Sequence, residues 1–148
     1  MRLLDANILL YAYDSESPRH AACRDWLEAV FNDEETIALP WQSVLAFVRI
    51  ATNSRAVRKP LAGTEACNIV GSWLERQNVV VLEAGERFWE IFQGQMTEAQ
   101  VSGPLVTDTA LAALALEHGA TLCSTDRDFR RFRGLKLLDP SSEGAHRE

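Results

Sequence analysis

Short apolar segments alternate with longer amphipathic ones along this chain. The short segments are residues 3–4, 36–39, 79–82, 121–124 and 135–138. Apolar runs of this length, bounded by turn residues, are typical of buried strands. The sequence therefore predicts about five short strands, the first of which begins almost at the N-terminus and stops at a carboxylate, Asp5.

Between these runs, apolar residues recur every three or four positions, which predicts amphipathic helices. The predicted helices cover residues 7–13, 18–31, 41–53, 64–76, 85–98 and 107–118, with a turn or short helix at 127–132. Ser17 and Thr64 are candidate N-terminal caps, and Gly119 is a candidate left-handed stop. Strands that alternate with helices favour an α/β fold, here a three-layer α/β/α domain with a central parallel sheet of about five strands.

Composition supports one globular domain. The chain has 148 residues, of which 47% are hydrophobic and 24% charged. We expect a single domain over residues 1–140 and a frayed tail over 141–148. The longest apolar run, residues 110–116, is too short to cross a bilayer. The N-terminus lacks the pattern of a signal peptide, and the three cysteines form no CxxC pair, so we expect a cytoplasmic protein with no membrane partner.

The charge is uneven along the chain. The net charge is −6, but basic residues concentrate in segments 49–59 and 127–136. Arg55, Arg58, Arg127 and Arg130 are therefore candidates for contacts with the phosphates of a nucleic acid. Two ordinary solvated faces would explain the same clusters.

Three aspartates stand at related places in the predicted topology. Asp5 ends the first strand, Asp126 follows the fourth, and Asp108 lies in the first turn of the helix that leads into the fourth strand. Because the carboxyl ends of parallel strands share one edge of the sheet, we expect the three to converge. Convergent carboxylates repel one another unless a cation such as Mg²⁺ neutralises them.

Each aspartate also has a simpler explanation. Asp108 could only stabilise a helix N-terminus, and Asp126 could only be a turn residue. Asp5 is harder to dismiss, because an acid between two apolar runs needs a partner or a function. An aspartyl phosphatase that uses Asp5 as its nucleophile is an alternative. That chemistry normally needs a second acid nearby, and Asn7 occupies the obvious position.

Three segments of the sequence resemble a known family. The segments LLDANILLYAYD, PWQSVLAFVRIATN and VTDTALAALALEHGATLCSTDRDFRRFRGLKLLDP are similar to PIN-domain proteins, and more narrowly to VapC-type toxins of bacterial toxin–antitoxin pairs. The resemblance covers residues 2–140. It implies an endoribonuclease that depends on Mg²⁺ or Mn²⁺ and cleaves structured RNA such as transfer or ribosomal RNA. It also implies a homodimer and a small antitoxin partner that silences the enzyme.

The resemblance also assigns roles to individual residues. Asp5, Asp108 and Asp126 match the acidic positions that hold the metal and support catalysis in the family. Three further residues match supporting positions of the family's site: Asn7, Thr125 and Asp128.

One position departs from the family pattern. PIN domains typically carry a glutamate in the helix after the second strand, where this chain has Phe47, and residues 36–62 contain no acid. The site would then have one carboxylate fewer than usual. An alternative to the nuclease is therefore a domain that binds RNA or its antitoxin without cutting.

Overall fold

The computed structural model describes residues 1–142. The strands are β1 (Arg2–Leu4), β2 (Ile37–Ala38), β3 (Val79–Val80), β4 (Thr121–Cys123) and β5 (Lys136–Leu138). The helices are α1 (Ala6–Tyr13), α2 (His20–Phe31), α3 (Trp41–Ala51), α4 (Gly63–Leu74), α5 (Phe88–Ala99) and α6 (Val106–His118). Two 3₁₀ turns, Gly103–Leu105 and Arg127–Arg131, precede α6 and follow β4. The predicted order of elements is confirmed.

The five strands form one parallel sheet in the order β3-β2-β1-β4-β5. The chain moves outward from β1 to β3 on one side and then returns to place β4 on the other side of β1. The boundary between β1 and β4 is therefore the point where the direction of winding reverses. In open α/β sheets, ligands bind in the crevice beyond the carboxyl ends of the strands at such a point.

Helices cover both faces of the sheet, which confirms the three-layer α/β/α architecture. Leu4 packs into a core formed mainly with α1, α2, α3 and α4. Its neighbour Leu3 packs on the opposite face, with residues of α5 and α6. This division follows from the strand period of two, since successive side chains point to opposite faces.

Several boundaries differ from the predictions for local physical reasons. Helix α2 begins at His20 rather than Pro18, because residues 17–19 form a turn in which the Ser17 hydroxyl accepts a hydrogen bond from the amide of Arg19. Thr64 is not a cap: α4 begins at Gly63, and Glu65 accepts a hydrogen bond from the Ala62 amide instead. Gly119 ends α6 with φ of 65°, as predicted.

The termini and membrane predictions are tested only in part. Over residues 1–142, no helix has the length and apolar character needed to cross a membrane. Ser141 is ordered by hydrogen bonds from its amide and hydroxyl to Asp139. The rest of the predicted frayed tail, residues 143–148, lies outside the described part of the chain.

Candidate active site

The site begins where β1 and β4 end side by side. The register pairs Leu4 with Cys123, and the amide of Asp5 donates to the carbonyl of Cys123 at 3.0 Å. Asp5 therefore lies opposite Ser124, the first residue after β4. The carboxylate that ends the first strand is brought to the fourth strand by backbone pairing alone.

Ser124 links three groups of the site. Its hydroxyl donates to Asp5 Oδ2 at 2.7 Å, and it accepts from Asn7 Nδ2 at 3.2 Å and from the Asp126 amide at 3.0 Å. The other oxygen of Asp5 accepts from the Ala6 amide at 2.8 Å and so caps α1. Ser124 is buried, so this arrangement fixes Asp5 before any ligand arrives.

Three other aspartates form a tight cluster beside Asp5. Carboxylate oxygens of Asp108, Asp126 and Asp128 all lie within 4.8 Å of one another. Asp126 also accepts a hydrogen bond from the Asp128 amide at 2.9 Å, so it is a turn residue as well as a member of the cluster. Asp128, predicted as a supporting residue, thus lies with Asp108 and Asp126.

Burial and mutual repulsion change the acidity of two of these groups. Burial, together with the charges of Asp126, Asp5 and Asp128, raises the pKa of Asp108 to about 6. Burial also raises the pKa of Asp5, and this rise is opposed by the hydrogen bonds from Ser124 and Ala6. Carboxyl groups whose pKa rises in this way are ready to exchange protons for a cation.

The residues fit a divalent cation. Hard carboxylate oxygens are the ligands that Mg²⁺ and Mn²⁺ prefer. Asp108, Asp126 and Asp128 place three such groups within the span of one ion. The Asp108 carboxylate has no hydrogen-bond donor among residues 1–142, so its oxygens are available as ligands.

Helix α3 forms the opposite wall of a groove in front of these acids. The groove encloses about 380 Å³ and is lined by Asp5 and Asp108 on one side and by Gln42, Ser43 and Arg49 on the other. Ala46 also lines it, and its small side chain keeps the groove open. One wall is acidic, and the other is neutral or basic.

Phe47 does not line this groove. It is fully buried and packs against Tyr13 and Trp73, with ring centroids 5.7 and 4.8 Å away. The positions of α3 that reach the groove are those of Gln42, Ser43, Leu45, Ala46 and Arg49. Phe47 is therefore a core residue, and no carboxylate of α3 enters the site.

The hydroxyl group expected from Thr125 is supplied by its neighbour. Within residues 1–142 the Thr125 side chain makes no hydrogen bond, whereas Ser124 contacts Asp5, Asn7 and the Asp126 backbone. The hydroxyl that contacts Asp5 and Asn7 is thus that of Ser124, while Thr125 lines the neighbouring cavity with Asp126. The register of β1 against β4 selects Ser124, and a single sequence does not specify that register.

The predicted RNA-binding arginines lie in two places. Arg127 and Arg130 line a cavity of about 370 Å³ together with Asp126, next to the acidic cluster. Arg55 and Arg58 lie in the loop after α3, where Arg58 pairs with Glu16 at 3.8 Å. Arg49 of the same basic segment lines the groove instead. Arg131, which was not singled out from sequence, pairs with Asp128 at 3.2 Å.

Comparisons with known proteins agree with the family resemblance seen in the sequence. Residues 2–135 match the family model of the PIN domain. The chain is 36% identical over 143 residues to ribonuclease VapC33 of Mycobacterium tuberculosis, which covers 97% of this chain and 100% of that protein.

Solved structures with this fold are also similar. A chain of VapBC2 from Rickettsia felis, bound to a DNA fragment from its promoter, superposes with a TM-score of 0.65 at 20% identity, over 93% of this chain and 96% of that one. VapC20 of Mycobacterium tuberculosis, described as a sarcin–ricin loop cleaving toxin, superposes with a TM-score of 0.65 at 12% identity, over 92% and 99%. The family match spans the acidic cluster and nearly the whole fold, and the chain therefore belongs to the PIN-domain family, among the VapC ribonucleases.

Proposed function

We propose that this protein is a metal-dependent endoribonuclease toxin that hydrolyses phosphodiester bonds of structured RNA and is neutralised by a small antitoxin. The observation that carries the proposal is the cluster of Asp108, Asp126 and Asp128 beside Asp5, at the switch point of the sheet. The chain is 36% identical to a protein named a ribonuclease, which supports the same activity.

Each residue of the acidic wall has a distinct role in this proposal. Asp5, Asp108 and Asp126 would hold one or two Mg²⁺ or Mn²⁺ ions, and Asp128 would complete the set. A bound divalent ion lowers the pKa of a water ligand and neutralises charge on the phosphate oxygens. Ser124 orients Asp5 through the 2.7 Å hydrogen bond, and Asn7 steadies the Ser124 hydroxyl.

The protonation of Asp108 links this site to pH. Because the pKa of Asp108 is raised to about 6, its carboxyl group is protonated in mildly acidic solution. It must lose this proton before it can bind a metal ion. We expect cleavage to weaken as the pH falls through about 6 at a fixed, subsaturating metal concentration.

The RNA substrate and the antitoxin are proposed from the relatives. VapC20 is described as a sarcin–ricin loop cleaving toxin. A chain of a toxin–antitoxin complex from Klebsiella pneumoniae superposes on this chain with a TM-score of 0.62. We propose a substrate and a partner of the same classes for this chain, acting in the cytoplasm.

Helix α5 supports the proposed homodimer. In this helix, which lies wholly within the described residues, the one buried side chain is that of Gln95. Trp89 is 61% exposed and stacks on Phe92, with ring centroids 5.3 Å apart. Trp89 and Phe92 together form an apolar patch, and contiguous exposed apolar patches mark interaction sites. A Trp89→Glu variant that sediments as a monomer, when the unaltered protein sediments as a dimer, would confirm this use.

The absence of an acid from α3 supports the alternative of a domain that binds RNA without cutting it. No carboxylate of α3 reaches the groove, so the site has fewer acids than the family pattern implies. The phosphatase alternative is disfavoured, because residues 2–135 match the PIN-domain model and the chain is 36% identical to a protein named a ribonuclease.

The decisive experiment is incubation of purified protein, freed of any antitoxin, with total bacterial RNA in Mn²⁺ or in chelator. Asp108→Asn is the best inactive variant, since this carboxylate has no hydrogen-bond partner in residues 1–142 whose loss would disturb the fold. Asp25→Asn, at an exposed position of α2, is the matched control. We also include Asp5→Asn.

Discrete fragments that require Mn²⁺, Asp5 and Asp108 but not Asp25 are the expected result. Intact RNA in every lane, from protein shown by circular dichroism to be folded, would overturn the nuclease in favour of the binding domain. Cleavage that survives Asp108→Asn would show that another site, or a contaminant, cuts the RNA.

A further inference from the structure

We propose that the α3 wall of the groove, formed by the N-terminal turn of α3 with Ser43 and Arg49, binds a phosphate group of the RNA opposite the acidic cluster. This inference rests on the proposed function and adds to it a binding site for one chemical group. Three independent features of α3 support it.

The first feature is a buried hydroxyl without a partner. Ser43 is only 2% exposed, and its Oγ has no hydrogen-bond partner within residues 1–142. Buried polar groups are nearly always paired in folded proteins, so each exception needs an explanation. Ser43 lines the groove together with Asp5 and Asp108. The Oγ atom is shielded in this rotamer, so a rotation about χ1 would bring it to the groove, where a ligand oxygen would supply the missing partner.

The second feature is the start of the helix. Pro40 precedes α3 and provides no side-chain cap, and the first turn contains no acid. The amides of Trp41 and Gln42 are the first two of the helix and have no carbonyl within it to bond. Gln42 lines the groove, so the N-terminus of α3 lies at the groove. The N-terminus is the positive end of the helix dipole.

The third feature is a cation. Arg49 also lines the groove, is exposed, and has no ion-pair partner among residues 1–142. By contrast, Arg58 of the same basic segment pairs with Glu16. Since residues 36–62 contain no acid, nothing on this wall competes for the guanidinium group.

Together these groups match one ligand chemistry. A hydroxyl donor, two free backbone amides and a guanidinium group all donate hydrogen bonds, and two of the three carry positive charge. An RNA phosphate accepts from all of them. The carboxylates of the opposite wall attract a phosphate only through a bound cation, whereas the α3 wall offers donors of its own to an anion in the groove.

Binding measurements test the proposal directly. A fluorescein-labelled single-stranded RNA oligonucleotide is titrated with protein in Mn²⁺, in an Asp108→Asn background so that the strand stays intact. We expect Ser43→Ala and Arg49→Gln each to weaken the Kd about tenfold. Arg49→Gln should also reduce the slope of log Kd against log salt by about 0.7, because one phosphate contact is lost. Arg24→Gln, an exposed arginine of α2, is the control.

Thermal unfolding of the unliganded protein gives a second readout that a structural role for Ser43 would not produce. Removal of an unpaired buried hydroxyl relieves its desolvation, so Ser43→Ala should raise Tm by about 2–4 °C while it weakens RNA binding. A hydroxyl with a structural role would lower Tm when removed. That result would overturn the assignment.

The outcomes separate this inference from the nuclease. If the unaltered protein cleaves RNA and neither α3 variant changes the Kd, the phosphate site is wrong and the nuclease stands. If the unaltered protein does not cleave, but its RNA binding depends on Ser43 and Arg49, the nuclease is wrong and the phosphate site stands. A larger loss of binding from Arg58→Gln than from Arg49→Gln would also overturn the phosphate site.

Discussion

The two walls of the groove differ in how their polar groups are satisfied. On the acidic wall the Ser124 hydroxyl makes three hydrogen bonds, which fix Asp5 against Asn7 and the backbone of Asp126. On the α3 wall the Ser43 hydroxyl is equally buried and makes none within residues 1–142. Ser124 stabilises the fold, whereas the Ser43 hydroxyl remains available as a donor to a ligand.

The walls also carry opposite charge for a physical reason. Carboxylates that hold a cation must converge, and burial together with their mutual repulsion raises the pKa of Asp108. A substrate that is itself anionic needs donors and positive charge on the facing surface. The contrast teaches that a deficit of acids on α3 is compatible with function, because that wall serves the substrate rather than the metal.

The largest expected effect comes from neutralising the acidic wall. Asp126→Asn removes a metal ligand but keeps an oxygen to accept from the Asp128 amide. We expect RNA cleavage to fall by more than about 100-fold with little loss of stability. Cleavage assays in Mn²⁺ measure the effect, and Asp25→Asn is the control. Equal losses of RNA cleavage in Asp126→Asn and Arg49→Gln would show that the two walls do not differ in function.

A second pair of variants tests which face of α3 points to the groove. Phe47→Glu places a carboxylate in the core, so we expect a loss of at least about 4 kcal/mol in the free energy of unfolding. Ala46→Glu faces the groove and should cost about 1 kcal/mol or less. It should tighten Mn²⁺ binding and weaken RNA binding. Urea denaturation and calorimetric metal titration measure these quantities. A folded Phe47→Glu protein with restored metal affinity would contradict the placement of Phe47.

The two adjacent hydroxyl residues after β4 should behave differently. Ser124→Ala leaves Asp5, Asn7 and the Asp126 amide without their shared partner, so it should lower the free energy of unfolding by about 1–3 kcal/mol. Thr125→Ala breaks no hydrogen bond within residues 1–142 and should change it by no more than about 0.5 kcal/mol. Urea denaturation distinguishes them. Ser124→Ala should also have the opposite sign to Ser43→Ala, and the same sign for both would remove the contrast between the walls.

The last test is a pH dependence of stability without metal. Asp108 has a pKa of about 6 in the folded protein against 3.8 for an ordinary aspartate. Below both values the carboxyl is protonated in either state, and as the pH rises the unfolded chain ionises first. The stability of the unaltered protein should therefore fall relative to Asp108→Asn between about pH 4 and pH 6, then stay level. Urea midpoints in chelator across this range measure the difference, and a constant difference would contradict the raised pKa.

The sequence determined most of the architecture. The alternation of short apolar runs with amphipathic segments requires strands that are covered by helices, and Gly119 ends α6 because its backbone has positive φ. Strands β2 to β5 are shorter than predicted, because the predicted segments extend beyond the paired residues, whereas β1 begins one residue earlier, at Arg2. Val80 is 39% exposed on the edge strand β3, although its segment was predicted as buried.

The sequence also predicted which acids come together, because strand ends of a parallel sheet meet at one edge. The tertiary structure alone decided three further points: that Ser124 rather than Thr125 holds Asp5, that Phe47 faces the core, and that Ser43 and Arg49 face the acids across the groove. Each depends on strand register or on the rotation of a helix about its axis. Those are set by packing between distant segments, and a one-residue change redirects every side chain involved.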